Sequence, residues 1–175
     1  MSERKFNAWV SLFTTLWLLN HAIGNIVWLI MGDKSAAPAD FWGWILAGFM
    51  LLHAFISIDL GVSAHAGIEK RKSKGYPKMN VSTLVQRISG VLLIPFTALH
   101  IAGAVGFMQP PEIVHAILPP LFFALALAHA AVSTSKAFIT LGIGNARFIK
   151  VADIVIKVIC AATLITCVIA FNLYY

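Results

Sequence analysis

Six histidines occur in the chain, and four of them, His21, His53, His100 and His129, stand well inside long apolar runs. An imidazole can transfer protons or bind a metal through either ring nitrogen. In hydrocarbon it also costs free energy unless partnered, so each such histidine asks for a function. A single intramembrane histidine is commonly an interhelical hydrogen-bonding group. Four of them, one on each of the first four apolar runs, point to a shared task.

Their surroundings repeat. His21-Ala-Ile-Gly24 in the first run matches His100-Ile-Ala-Gly103 in the third, and His53-Ala-Phe-Ile-Ser57 in the second matches His129-Ala-Ala-Val-Ser133 in the fourth. The separations agree as well, at 32 residues from His21 to His53 and 29 from His100 to His129. The pattern reads as a duplicated helical hairpin followed by a fifth helix. A glycine at i+3 or a serine at i+4 shares the histidine's face of a helix. Glycine there removes bulk and lets a flat macrocycle approach the backbone. Small residues at helix contacts are also ordinary membrane packing, but the two matches together exceed what packing alone asks for.

The elements that must carry these residues are set by composition. Of 175 residues, 59% are hydrophobic and 11% charged, with a mean hydropathy of +0.85; a soluble domain of this size has no means of hiding so much apolar surface. Apolar stretches cover residues 6–31, 41–66, 81–107, 113–135 and 148–174, each long enough to cross a hydrocarbon core of about 30 Å. The expected fold is therefore an all-α membrane protein, a single transmembrane domain of five helices over residues 1–175. The first stretch is too long for the apolar core of a cleavable signal peptide. Cys160 and Cys167, both inside the last stretch, read as small packing residues.

The net charge of +6 belongs to loops and not to a nucleic-acid surface. Arg4 and Lys5 precede the first stretch, Lys70, Arg71, Lys72, Lys74 and Lys78 follow the second, and Lys136, Arg147 and Lys150 flank the turn between the fourth and fifth. The other two loops hold Asp33, Lys34, Asp40 and Glu112. The positive-inside rule then sets the N-terminus in the cytoplasm and the C-terminus outside.

Depth sorts the histidines into two layers. His21 is sixteen residues beyond Lys5 and His100 thirteen beyond Arg87, or about 24 and about 20 Å from the inner end. His129 is seven residues short of Lys136 and His53 thirteen past Asp40, which brings both to the inner half. His21 can thus face His100 in an outer layer and His53 can face His129 in an inner one. Paired axial imidazoles suit a six-coordinate haem iron, an electron carrier with no open position. Zinc would lack ligands in such a layer. The expectation is a bundle enclosing two haem b groups. His65, near Glu69 and Lys70, and His115, at the start of the fourth stretch, are expected at the two surfaces.

With these residues in view, the chain resembles the dihaem cytochrome b membrane anchors of succinate:quinone oxidoreductases, the succinate dehydrogenases and fumarate reductases. Leu52-His53-Ala54-Phe55 is similar to their second-helix string, and Thr83-x-x-Gln86-Arg87-x-Ser89-Gly90 resembles their Ser-x-x-x-Arg-x-Ser-Gly signature, with Thr83 replacing the first serine. The resemblance spans residues 6–174. It implies a multi-pass subunit of the prokaryotic cytoplasmic membrane that carries electrons and is not itself the catalytic subunit. Its partners would be an iron–sulphur subunit and a flavoprotein with covalent FAD on the cytoplasmic face. Electrons would pass between them and a membrane quinone, with menaquinone the expected species. The quinone would sit on the outer side with His115, Asp40 and Glu112, or on the inner side with Arg87 and Ser89. Arg87 could equally serve a haem propionate or a partner residue.

Two other readings share parts of the pattern. One is a dihaem cytochrome b of a different quinone-linked oxidoreductase; the other is a transporter of haem or a small solute with histidines along its path. Leu127 is apolar where some dihaem relatives carry a glutamate, and no Asp, Glu or Lys lies between the two histidine layers. Turnover at an outer quinone site would then be electrogenic, and at an inner one nearly electroneutral.

Overall fold

A computed structural model describes residues 1–31, 41–69, 80–104, 107 and 112–174. The described residues form five helices: α1 (Glu3–Met31), α2 (Phe41–Glu69), α3 (Val81–Ala104), α4 (Glu112–Leu141) and α5 (Ala146–Tyr174). All five are long and apolar enough to cross a membrane. In hydrocarbon a helix is the economical solution, because every backbone bond closes within its own segment.

Local sequence sets the ends. Asn80 caps α3 by accepting the Thr83 N–H at 2.8 Å, and Asn145 caps α5 by accepting the Phe148 N–H at 2.9 Å. Helix α4 stops in a Schellman motif. Gly142 adopts φ 73°, its N–H reaches the Ile139 carbonyl at 3.2 Å, and the Ile143 N–H reaches Phe138 at 3.0 Å.

Several boundaries differ from expectation: α1 begins at Glu3 and not at 6, α2 runs to Glu69 and not to 66, and α5 begins at Ala146 and not at 148. Lys136 does not close the fourth helix; α4 runs six residues beyond 135, to Leu141. The reason is that the Lys136 ammonium is partnered, donating to Gln86 Oε1 at 2.7 Å and Thr83 Oγ1 at 3.3 Å on α3. Phe107, expected at the end of the third stretch, is not helical, and its N–H turns back to the Ala102 carbonyl at 2.9 Å. Pro95, Pro119 and Pro120 are accommodated inside α3 and α4.

Helices α1 and α4 pack together at the centre of the bundle, with α2 beside α1, α3 beside α4, and α5 against both α1 and α4. Helices α2 and α3 scarcely touch. The first four helices thus stand at the corners of a square, with α1 diagonal to α3 and α2 diagonal to α4. Contacts use small residues: Ala8, Ala22, Ala47, Ala126, Ala130 and Ala170 are all buried, letting backbones approach closely. Leu18, Leu46, Leu93, Phe122, Leu127 and Cys160 fill the middle. Large apolar side chains cover the outside, Phe55 at 73% exposure and Leu16 at 62%, an arrangement that lipid favours and water does not.

Candidate functional site

Each diagonal of the square carries one histidine pair. His21 on α1 and His100 on α3 stand with ring centroids 6.5 Å apart and planes at 87°. His53 on α2 and His129 on α4 stand at 6.3 Å and 68°. Neither diagonal is a packed helix contact, so the rings approach each other across the bundle interior.

The spacing has a chemical meaning. A metal-bound imidazole nitrogen lies about 2 Å from its metal, and adding about 1.1 Å from nitrogen to ring centre puts two opposed ligands at about 6.2 Å between centroids. Both pairs meet that distance. A Cβ added to Gly24 or Gly103, each three residues beyond its histidine, would meet nothing within 4 Å. Among the described residues no three His, Cys, Asp or Glu side chains come together, so each pair offers two ligands and a zinc site would be incomplete. The residues fit a bis-histidine haem.

The His53/His129 pair is held by hydrogen bonds from neighbouring helices. His129 Nδ1 lies 3.0 Å from Ser89 Oγ, and the Ser89 hydroxyl donates to the Val85 carbonyl at 2.6 Å and approaches Gln86 at 3.2 Å. With its proton committed to the backbone, the serine oxygen accepts from His129 Nδ1–H. That selects the tautomer whose Nε2 lone pair is free for a metal. Gly90 makes room for the ring, since a Cβ there would lie 3.1 Å from His129 Cε1. His53 Nδ1 lies 3.0 Å from Asn7 Oδ1, and the Asn7 amide donates to Ser57 Oγ at 3.1 Å.

The His21/His100 pair is held differently. Phe122 stacks on His100 at 4.9 Å and 16°, and Phe123 meets the same ring edge-on at 6.5 Å. The backbone under His21 is tied by Asn25, whose amide donates to the His21 carbonyl at 2.7 Å.

The other sequence candidates fall elsewhere. Ser89 is buried against His129, whereas Arg87 is exposed. Asp40 lies outside the described residues, and for Glu112, His115 and His65 only the helical backbone is described. Ser133, matched to Ser57 by the repeat, turns to the Ala130 carbonyl at 3.4 Å and leaves orientation of His129 to Ser89. Sequence reading missed Asn7, Gly90 and Phe122 as neighbours of the histidines. Asn7, the first intramembrane amide of α1, was the one residue whose polarity could have flagged it.

Among the described residues, the class that fold and site define is a helical protein with five helices of membrane-spanning length and apolarity. Searches with protein-family descriptions, curated proteins and solved structures found no match.

Proposed function

We propose that this chain is a dihaem cytochrome b membrane anchor, carrying electrons between a cytoplasmic iron–sulphur subunit and membrane quinone in a succinate dehydrogenase or fumarate reductase. The observation that carries the reading is the pair of diagonal imidazole contacts, at 6.5 and 6.3 Å, on four helices that each contribute one histidine. Bound there, haem iron would accept and return single electrons without an open position for substrate.

The chain's own residues supply the rest. His21, His53, His100 and His129 would be the axial ligands, and Ser89 sets the tautomer of His129. The apolar middle around Leu18, Leu93 and Leu127 keeps water from the space between the layers, and the bulky exterior anchors the bundle in lipid. By the positive-inside rule the Asn7 end faces the cytoplasm of a prokaryote. The basic segment Lys70–Lys78 would then lie on the side where the flavoprotein and iron–sulphur subunits dock. Quinone would react near Arg87 on that side, or near His115 and Glu112 at the far end.

The test is to express the chain with haem supply, purify it in mild detergent and record its visible spectrum. Two low-spin haems per chain, and co-purification of a flavoprotein and an iron–sulphur protein from the native membrane, are expected. A colourless protein would overturn the haem reading. A dihaem protein that co-purifies with a different oxidoreductase would overturn the succinate:quinone assignment alone.

A further inference from the structure

The hydrogen bonds around the His53/His129 pair are arranged as a repeat that the residue types hide. His129 on α4 takes its Nδ1 partner, Ser89, from the helix before it, and His53 on α2 takes Asn7 from the helix before it. In each hairpin the helix that bears the far-layer histidine therefore also bears the group that orients the near-layer one. Asn7 and His21 are fourteen residues apart on α1, and Ser89 and His100 eleven apart on α3. At about 100° per residue these separations bring the two members within about 40° and about 20° of one another around their helices. One face of α1 and one face of α3 thus serve both layers. A simple alignment of the hairpins on their histidines pairs Asn7 with Gln86, whose backbone also hydrogen-bonds His129; the side chain that plays the part of Asn7 is Ser89.

The geometry at Asn7 is directional. Its amide nitrogen faces Ser57 Oγ at 3.1 Å and its oxygen faces His53 Nδ1 at 3.0 Å. A carbonyl oxygen only accepts, so His53 must carry its proton on Nδ1 and present an unprotonated Nε2 toward His129.

We propose that Asn7, held by Ser57, is a positioning residue for His53: it selects the metal-binding tautomer and tunes the ligand strength of Nε2. The inference rests on the haem reading above. A donor bond from Nδ1–H makes the ring a stronger electron donor at Nε2, which favours the oxidised iron. Removing the acceptor weakens that donation, and a charged acceptor strengthens it.

The experiment is an optical redox titration of the purified wild-type chain and its Asn7→Leu and Asn7→Asp variants, with the low-spin electron paramagnetic resonance spectrum of each. In Asn7→Leu the midpoint of one haem is expected to rise and its resonance to shift, while the other haem keeps both. In Asn7→Asp the same midpoint falls. Unchanged midpoints in both variants, or equal shifts of the two haems, would overturn the role of Asn7 while leaving two wild-type haems intact. Where Asn7→Leu yields no assembled protein, Asn7→Ala takes its place: it removes the acceptor without adding a charge, and the same selective rise of one midpoint is expected. A wild-type protein without haem would overturn the haem reading, and this inference with it.

Discussion

Gly90 faces the imidazole of His129 so closely that a methyl group at its α-carbon would stand 3.1 Å from Cε1. That contact is tighter than side chains ordinarily tolerate, and Ser89 on the adjacent position holds the same ring through Nδ1 at 3.0 Å. Ring and backbone are therefore matched parts. On the dihaem proposal, a Gly90→Val substitution is expected to displace His129, removing one of two haems while the other remains; Gly90→Ala should do so only partly. Pyridine haemochrome analysis per chain checks both, and full loading in Gly90→Val would contradict the assignment.

Each histidine pair forms a unit. His53→Ala or His129→Ala is expected to remove one haem, and His21→Ala or His100→Ala the other, because a single remaining imidazole leaves a low-spin iron short of an axial ligand. The double variant His53→Ala/His129→Ala should retain one haem with an unaltered spectrum, the same one that each of its single variants retains. A variant pair that spans layers, His53→Ala/His21→Ala, should retain none.

Ser89→Ala tests the hydrogen bond without touching any proposed axial ligand. It removes the Ser89 acceptor and leaves His129 the backbone of Gln86 as a remaining partner, so the cost falls below the ~1–3 kcal/mol of a buried donor left unpaired. Polar contacts within membranes generally fall at the lower end of such values. Thermal denaturation in detergent should show a small loss of stability. The spectral change should be confined to the haem that His129→Ala removes.

Phe122 has two tasks, filling the middle of the bundle at 4% exposure and stacking on His100 at 4.9 Å. Phe122→Ala removes a core ring and should cost about 3–5 kcal/mol. Phe122→Leu keeps most of the volume but loses the parallel face worth about 0.5–1.5 kcal/mol. The leucine variant is expected to assemble, with a broadened signal from the His21/His100 haem alone. An equal disturbance of both haems would show that Phe122 acts through general packing.

Orientation is open to a test that needs no cofactor. With Arg4 and Lys5 at one end of α1, and Arg147 and Lys150 at the same end of α5, the positive-inside rule predicts a cytoplasmic N-terminus. Alkaline phosphatase fused after Tyr175 should be active and a fluorescent protein fused there dark. The reverse result would invert the bundle and with it the proposed docking side.

The number of helices and their approximate extents were legible in the sequence because a membrane-spanning segment is a local decision. Length and apolarity suffice, and backbone bonding closes within each span. The four histidines and their depths were legible for the same reason, since rise per residue converts sequence position into depth. What linear reading misjudged was Lys136, where a charge looked like a helix end; two polar groups on α3 absorb it instead.

Rotation of each helix about its own axis was not legible. In water an apolar stripe announces the buried face, but these helices are apolar all round and Phe55 and Leu127 look alike in sequence, although one is 73% exposed and the other 1%. Without a stripe, the facing direction is decided by how small residues let the backbones approach, a property of pairs of helices and not of any one. Hence linear reading sufficed to say which four imidazoles lie within apolar helices and which pairs stand at matching levels along them. Only the tertiary structure decided that they face along the diagonals, and that Asn7 and Ser89, 46 and 40 residues from their histidines, are the groups that hold them.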